Sequence, residues 1–205
     1  MKIHKIYPNG FGSNTYAITN DGKTAVVIDP SSKHVESKLL SLGLEPKFVL
    51  LTHCHFDHVG GVSALQQSGA KVLCLDKESV LVNTKADLAG LFGAPIPPYT
   101  VNETLVDGQE IELCGLKIKV LATPGHTAGS TCYLFTDDGG RYLFSGDTLF
   151  ENSIGRTDFP TGNIGVLRES LRFLASLDDM PVYAGHGEDT TIENERKNNP
   201  FLQDL

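Results

Sequence analysis

The sequence predicts a mixed α and β, layered fold in which two sheets pack face to face with helices outside. Three observations carry this. Short β-rich runs alternate with turn clusters continuously from Lys2 to Gly187. The runs come as strands then helices, twice over, which is not the strict βαβ alternation of a single parallel sheet. Lys47–Leu51 is nearly all apolar, as expected of a short strand covered on both faces.

Taken in order, strands are expected at Lys2–Tyr7, Asn14–Thr19 and Thr24–Asp29, with Asp21-Gly22 as a hairpin signal between the last two. Ser31 or Ser32 is placed to cap a helix over His34–Leu42, which stops at Gly43. After the strand Lys47–Leu51 come a helix over Val62–Gln67 and a strand at Lys71–Leu75. A helical stretch is expected around Lys77–Leu91. It runs into Gly93-Ala94-Pro95-Ile96-Pro97-Pro98, where proline removes amide donors and regular structure stops. Leu91–Tyr99 reads as a connecting loop, with a pocket wall as the alternative. Strands follow at Glu110–Leu113, Lys117–Leu121, Thr131–Thr136 and Arg141–Ser145, the last two joined by Asp137-Asp138-Gly139-Gly140. The remainder reads as a loop from Leu149 to Asn163, a helix near Ile164–Leu177, a strand at Val182–Ala184 and a last helix near Thr190–Asn198. Residues 1–205 are expected to form one domain.

Composition narrows the function classes. A chain of 205 residues, 40% hydrophobic and 20% charged, can bury a substantial core and is not of disordered type. The net charge of −8, with lysine and arginine scattered, disfavours a phosphate backbone as partner, so no nucleic acid is expected. No apolar run approaches membrane-span length, so no membrane association is expected. The N-terminus has no signal-like apolar run and is broken early by Pro8, Asn9 and Gly10. Cys54, Cys74, Cys114 and Cys132 include no CxxC pair, and reduced, buried thiols in a cytoplasmic protein are expected. Oligomeric state is not encoded in any pattern seen here.

The chemistry concentrates in histidine. Three of seven fall within Thr52-His53-Cys54-His55-Phe56-Asp57-His58, directly after the apolar strand Lys47–Leu51. His53 and His55 are two apart and share a side of an extended segment, so two imidazoles can meet one ion. Asp57 and His58 lie one turn further and can reach a second ion. Three more candidates follow later strands, each with glycine immediately before it: Gly125-His126, Gly146-Asp147 and Gly185-His186. Packing so many polar groups together without a counterion would cost several kcal/mol, which favours a metal site. His4 and His34 read as ordinary histidines.

These residues, with Val27-Ile28-Asp29-Pro30 before them and Asn199-Pro200-Phe201-Leu202 after, resemble the metallo-β-lactamase-like superfamily. Gly146-Asp147-Thr148-Leu149-Phe150, Ser153-Ile154-Gly155-Arg156-Thr157-Asp158 and Gly185-His186-Gly187 with Thr190-Thr191-Ile192 are closest to its short glyoxalase II-like hydrolases. The resemblance implies a four-layer αββα sandwich with its site at one edge. It implies two divalent ions, zinc foremost and iron or manganese as alternatives. One is held by His53, His55 and His126, the other by Asp57, His58 and His186, with Asp147 bridging. The C-terminal helical domain of full-length glyoxalase II, which supplies much of its glutathione pocket, is expected to be lacking. Arg156, near where that enzyme has a lysine facing substrate, could grip a substrate carboxylate or brace a loop. Asp29 could fix a ligand imidazole or form a turn before Pro30.

The implied reaction is hydrolysis of a small-molecule thioester such as S-lactoylglutathione, by a water activated between the two ions, with Asp57 orienting it. The rival readings are a persulfide dioxygenase with a single iron and a hydrolase of another ester or lactone. A β-lactamase fits less well, since many carry cysteine where Asp147 stands.

Overall fold

Strand β3 (Thr24–Ile28) sets the pattern. Val26 and Ile28 pack to one side, Ala25 and Val27 to the other, and all four are buried. A strand apolar on both faces must be covered on both. The computed structural model, which describes residues 1–8, 10, 12–203 and 205, shows how. Asn9, expected to help break the N-terminal run, lies outside the described residues.

The first sheet runs β1 (Lys2–Ile6), β2 (Thr15–Thr19), β3, β4 (Glu45–Leu50), β5 (Lys71–Leu75) and β6 (Glu103–Leu105), in that spatial order. Its first three strands are an antiparallel meander, and β3 to β6 are parallel. Parallel neighbours need crossovers. These are α1 (His34–Ser41) between β3 and β4, α2 (Phe56–Val59) with α3 (Val62–Gln67) between β4 and β5, and the long connection over residues 76–102 between β5 and β6.

The second sheet is built from β7 (Glu110–Leu113), β8 (Leu116–Ala122), β9 (Thr131–Asp137), β10 (Gly140–Gly146), β13 (Pro181–Ala184) and β14 (Thr190–Thr191), ordered β14-β13-β10-β9-β8-β7. Only β10 and β13 are parallel, and α6 (Ile164–Ala175) makes that crossover. Strands β11 (Leu149–Phe150) and β12 (Ser153–Ile154) form a separate small hairpin. Helices α7 (Ile192–Asn198) and α8 (Pro200–Gln203) close the chain.

Three apolar layers result. Val35, Leu39, Val62 and Leu65 of α1 and α3 cover the outer face of the first sheet. Tyr16, Val26, Leu50, Phe135 and Phe144 fill the space between the sheets, where Phe144 meets Tyr16 and Phe135 edge-on at 5.2 and 5.0 Å. Leu167, Leu171 and Leu174 of α6 cover the outer face of the second sheet. Each such buried side chain is worth roughly 1.5–3 kcal/mol. The layer order is helix, sheet, sheet, helix, as expected.

Several local expectations need correction. Lys77–Leu91 is not one helix. It divides into α4 (Asp76–Ser79), a single 3₁₀ turn at Lys85–Asp87 and α5 (Ala89–Phe92). Thr84 Oγ1 accepts from Ala86 N and Asp87 Oδ1 from Ala89 N, so side chains compete for the amides a continuous helix would use. Buried Leu88 stands between the pieces at φ +64°. Neither Ser31 nor Ser32 caps α1 with its side chain; Lys33 holds the cap position. The region read as loop contains β11 and β12, and the strand β6 was not anticipated. Thr190–Thr191 is a short strand rather than the start of a helix, and Thr191 Oγ1 caps α7 by accepting from Asn194 N. The four cysteines are unbridged; Cys54, Cys74 and Cys132 are buried, while Cys114 is only half-buried. Among the described residues no helix is long and apolar enough to cross a membrane.

Candidate metal centre

The strand ends converge. After β4 the chain bends at Thr52 and passes through His53 and Cys54 to His55, which at φ −60° and ψ 146° begins α2, whose single turn carries Asp57 and His58. His126 follows β8, Asp147 follows β10 and His186 follows β13. The last two loops are tied together by Gly185 N donating to Gly146 O at 2.9 Å, and to the segment just before β2 by Asn14 N donating to Gly185 O at 2.7 Å. The glycines have specific causes. Gly146 has φ +50°, and Gly185 lies so close to the cluster that a Cβ there would sit 2.3 Å from Asp147 Oδ1.

Ligand atoms of His53, His55 and His126 lie within 4.8 Å of one another, as do those of Asp57, His58 and His186. Within the first trio, His55 Nδ1 is 3.0 Å from His126 Nε2. Within the second, His186 Nε2 is 3.2 Å from Asp57 Oδ2 and 3.3 Å from His58 Nε2. Asp147 reaches both trios, with Oδ2 3.6 Å from His126 Nε2 and from His186 Nε2, and Oδ1 3.2 Å from His58 Nε2. Asp29, His53 and His58 also approach one another, but the Asp29 oxygens are already engaged. Oδ1 accepts from Thr52 N at 2.8 Å, and Oδ2 accepts from Thr52 Oγ1 at 2.6 Å and from His58 Nδ1 at 2.8 Å.

Charge and protonation fit a cation. The Nε2 atoms of His53 and His55 are buried without a hydrogen-bond partner, a cost of roughly 1–3 kcal/mol each if nothing else meets them. Burial, then the neighbouring imidazoles, pushes His53 well below the usual imidazole range and His55 down to about 3. Both rings are therefore neutral, with lone pairs to give. Burial opposes the charged form of His58, but Asp147, Asp57 and Asp29 outweigh it and raise its pKa well above normal. Burial likewise opposes ionisation of Asp147, and His58 and the other imidazoles hold its carboxyl low all the same. Two rings have their outward nitrogens fixed: His58 Nδ1–H donates to Asp29, and His126 Nδ1–H donates to Arg156 O at 2.7 Å. That leaves Nε2 of each facing the cluster.

A cavity of about 700 Å³ opens beside these residues, walled by Phe56, Leu88, Phe92, Phe150, Ile154 and Phe159. Phe92 stacks on Phe56 with ring centres 5.0 Å apart and meets Phe159 edge-on. Leu91–Tyr99 thus includes part of a pocket wall. Arg156 also lines the cavity, but its Nε and Nη2 donate to Asp158 at 2.6 Å each, and its guanidinium lies 4.0 Å from the centre of the Phe159 ring. Arg156 therefore lies at the cavity while paired with Asp158 on its own loop. Asp29 precedes Pro30 and its carboxylate accepts from His58 Nδ1. Sequence reasoning missed Glu78, Phe56, Phe159 and the carbonyl of Arg156. Phe56 sat within the histidine motif and could have been found; a backbone carbonyl leaves no trace in residue identity.

The chain is similar to known proteins over nearly its whole length. A family model described as the Metallo-beta-lactamase superfamily matches residues 8–186. The hydroxyacylglutathione hydrolase GloC of Haemophilus influenzae is 35% identical over 98% of this chain and 98% of its own. Among solved structures, the BLEG-1 B3 metallo-beta-lactamase superposes with a TM-score of 0.89 at 33% identity, covering 98% of this chain and 99% of that one. TTHA1623 in a di-iron-bound form gives 0.84 at 34% identity, covering 97% and 100%. With the αββα sandwich and a His/Asp cluster at one edge of it, the chain belongs to the metallo-beta-lactamase superfamily and is a metallohydrolase of that family.

Proposed function

We propose that the protein hydrolyses small thioesters of the S-lactoylglutathione kind at a two-metal centre. The observation that carries this is the pair of trios sharing Asp147. His53, His55 and His126 would hold one divalent ion, Asp57, His58 and His186 the other, with Asp147 common to both. Zinc suits these nitrogen and oxygen donors, and iron or manganese would also serve; the di-iron form of TTHA1623 supports keeping iron in view. Such a pair of ions supplies Lewis acidity and a water acidic enough to act as nucleophile near neutral pH.

The chain does the rest. Asp29 and the carbonyl of Arg156 fix the rings of His58 and His126 so that Nε2 faces inward. Asp57, partly exposed to the cavity and hydrogen-bonded toward His186, is placed to accept a proton from a nucleophilic water and so orient it. Phe56, Phe92 and Phe159 give the acyl group an apolar wall and exclude water from that side. The thioester assignment is supported by the full-length likeness to the hydrolase GloC, and it makes a small molecule the partner. One domain over residues 1–205 is the matching proposal for its organisation. The cytoplasm is the proposed location, which the four unbridged cysteines support. The likeness to BLEG-1 favours β-lactam opening as the second reading.

The test is thiol release from S-lactoylglutathione by zinc-reconstituted protein, with Asp57→Ala and a chromogenic cephalosporin alongside. Efficient thiol release that Asp57→Ala abolishes is the expected result. Cephalosporin opening without thiol release would overturn the thioester assignment.

A further inference from the structure

Glu78, in α4, is completely buried yet stands outside the metal-facing cluster. Its Oε1 accepts from the backbone amide of Cys54 at 2.8 Å, and its Oε2 accepts from Thr127 Oγ1 at 2.8 Å. Cys54 is the residue between His53 and His55, and Thr127 is the residue after His126. One carboxylate therefore spans the two loops that deliver the entire first trio. The Thr127 turn is locked further by Thr127 N donating to Ser130 Oγ at 2.9 Å, and Thr131 N donates back to Thr52 O at 3.0 Å. None of the Glu78 hydrogen-bond partners adjoins Asp57, His58 or His186 in sequence. The second trio has its own direct brace in Asp29, which accepts from His58 Nδ1 and also holds Thr52 beside His53.

Burying a carboxylate is costly and is sustained where several donors meet it. A scaffold that needed only packing at this point would do as well with an apolar side chain. A carboxylate that joins two backbone segments fixes their separation instead, and that separation is what an ion between His53, His55 and His126 requires.

We propose that Glu78 is a positioning residue for one metal site alone. It holds the His53–His55 loop against the His126 loop, and so sets the affinity for the ion in the first trio while leaving the second trio almost untouched. This rests on the two-metal reading above.

The experiment is a zinc titration of metal-free protein against a chromophoric chelator, for wild type, Glu78→Ala and Glu78→Gln. Each is also made in a His186→Ala background, which disables the second trio, and a His126→Ala background, which disables the first. Wild type should bind two ions. Glu78→Ala should weaken one of them by roughly tenfold or more, with the loss present in the His186→Ala background and absent in the His126→Ala background. Glu78→Gln, which keeps an acceptor for the Cys54 amide, should fall between. Thr127→Val removes one end of the bridge and leaves the backbone bonds, so it gives the same one-sided loss, smaller, even if Glu78→Ala fails to fold. Equal weakening of both sites, or of neither, overturns the role of Glu78 and leaves the two-metal reading standing. A wild type that binds no zinc overturns both.

Discussion

Asp29 Oδ2 and His58 Nδ1 lie 2.8 Å apart, and both side chains are shut off from solvent. The contact fixes which His58 nitrogen faces the cluster, and Asp29 reaches it from a left-handed backbone at φ +48°. Asp29→Ala should therefore lower affinity for the ion in the second trio by roughly 10–100-fold. Metal content after dialysis, read together with kcat/KM, checks this; retention of two ions would contradict it.

His58 also makes metal binding sensitive to pH. The carboxylates around it outweigh its burial, so its pKa in the metal-free fold lies well above the usual imidazole value. The ring is then protonated at neutral pH, and a cation must displace that proton. Apparent affinity for the second ion should rise with pH, by up to about tenfold per unit while one proton is exchanged. The metal-free fold should show the opposite sign. A raised pKa contributes stability fully below the unfolded value of about 6.5 and loses it as pH rises through the folded value. Calorimetric titration in two buffers of different ionisation enthalpy counts the protons; a count of zero would be contrary to expectation.

Gly185→Ala would set a methyl group 2.3 Å from Asp147 Oδ1 and 2.9 Å from His58 Cε1. Either the His186 loop or the Asp147 side chain must move, and a displacement near 1 Å at reacting groups costs on the order of 100-fold in rate. The expected outcome is a loss of that order in kcat, with far-ultraviolet circular dichroism unchanged. Full activity would show that this edge is softer than its packing indicates.

Phe92 is 52% exposed and stacks on Phe56 at the cavity wall. On the thioester reading, Phe92→Ala would remove apolar contact for the acyl group without altering any of the clustered His and Asp residues. Scaled to a half-buried ring, the loss of about 1–1.5 kcal/mol corresponds to a roughly tenfold rise in KM, with kcat little altered. Steady-state kinetics on a single thioester separates the two constants, and a fall in kcat alone would assign Phe92 a different role.

Much of this was legible in residue order. The apolar run ending at Leu51, followed by His53, His55, Asp57 and His58, locates a strand end and a polar cluster together, because burial and ligation leave opposite compositional marks. The glycines before His126, Asp147 and His186 were likewise informative, since close approach restricts residue type. Less was legible where tertiary contacts decide. Leu88 adopts a left-handed conformation that its side chain does not favour, so helical propensity over Lys77–Leu91 misled. Arg156 reads equally as a substrate grip or a loop brace, and its pairing with Asp158 leaves no mark in residue type. Glu78 looks like any acidic residue at the start of a helix, and its partners lie 24 and 49 residues away.

Each trio takes residues from both halves of the sandwich: His53 and His55 with His126, and Asp57 and His58 with His186. An ion in either is thus a rivet through the seam. Cutting the chain between β6 and β7 would yield two pieces, each with an incomplete set of donors. Metal uptake would then report their reassembly directly, and the ions would belong to the joint rather than to either piece.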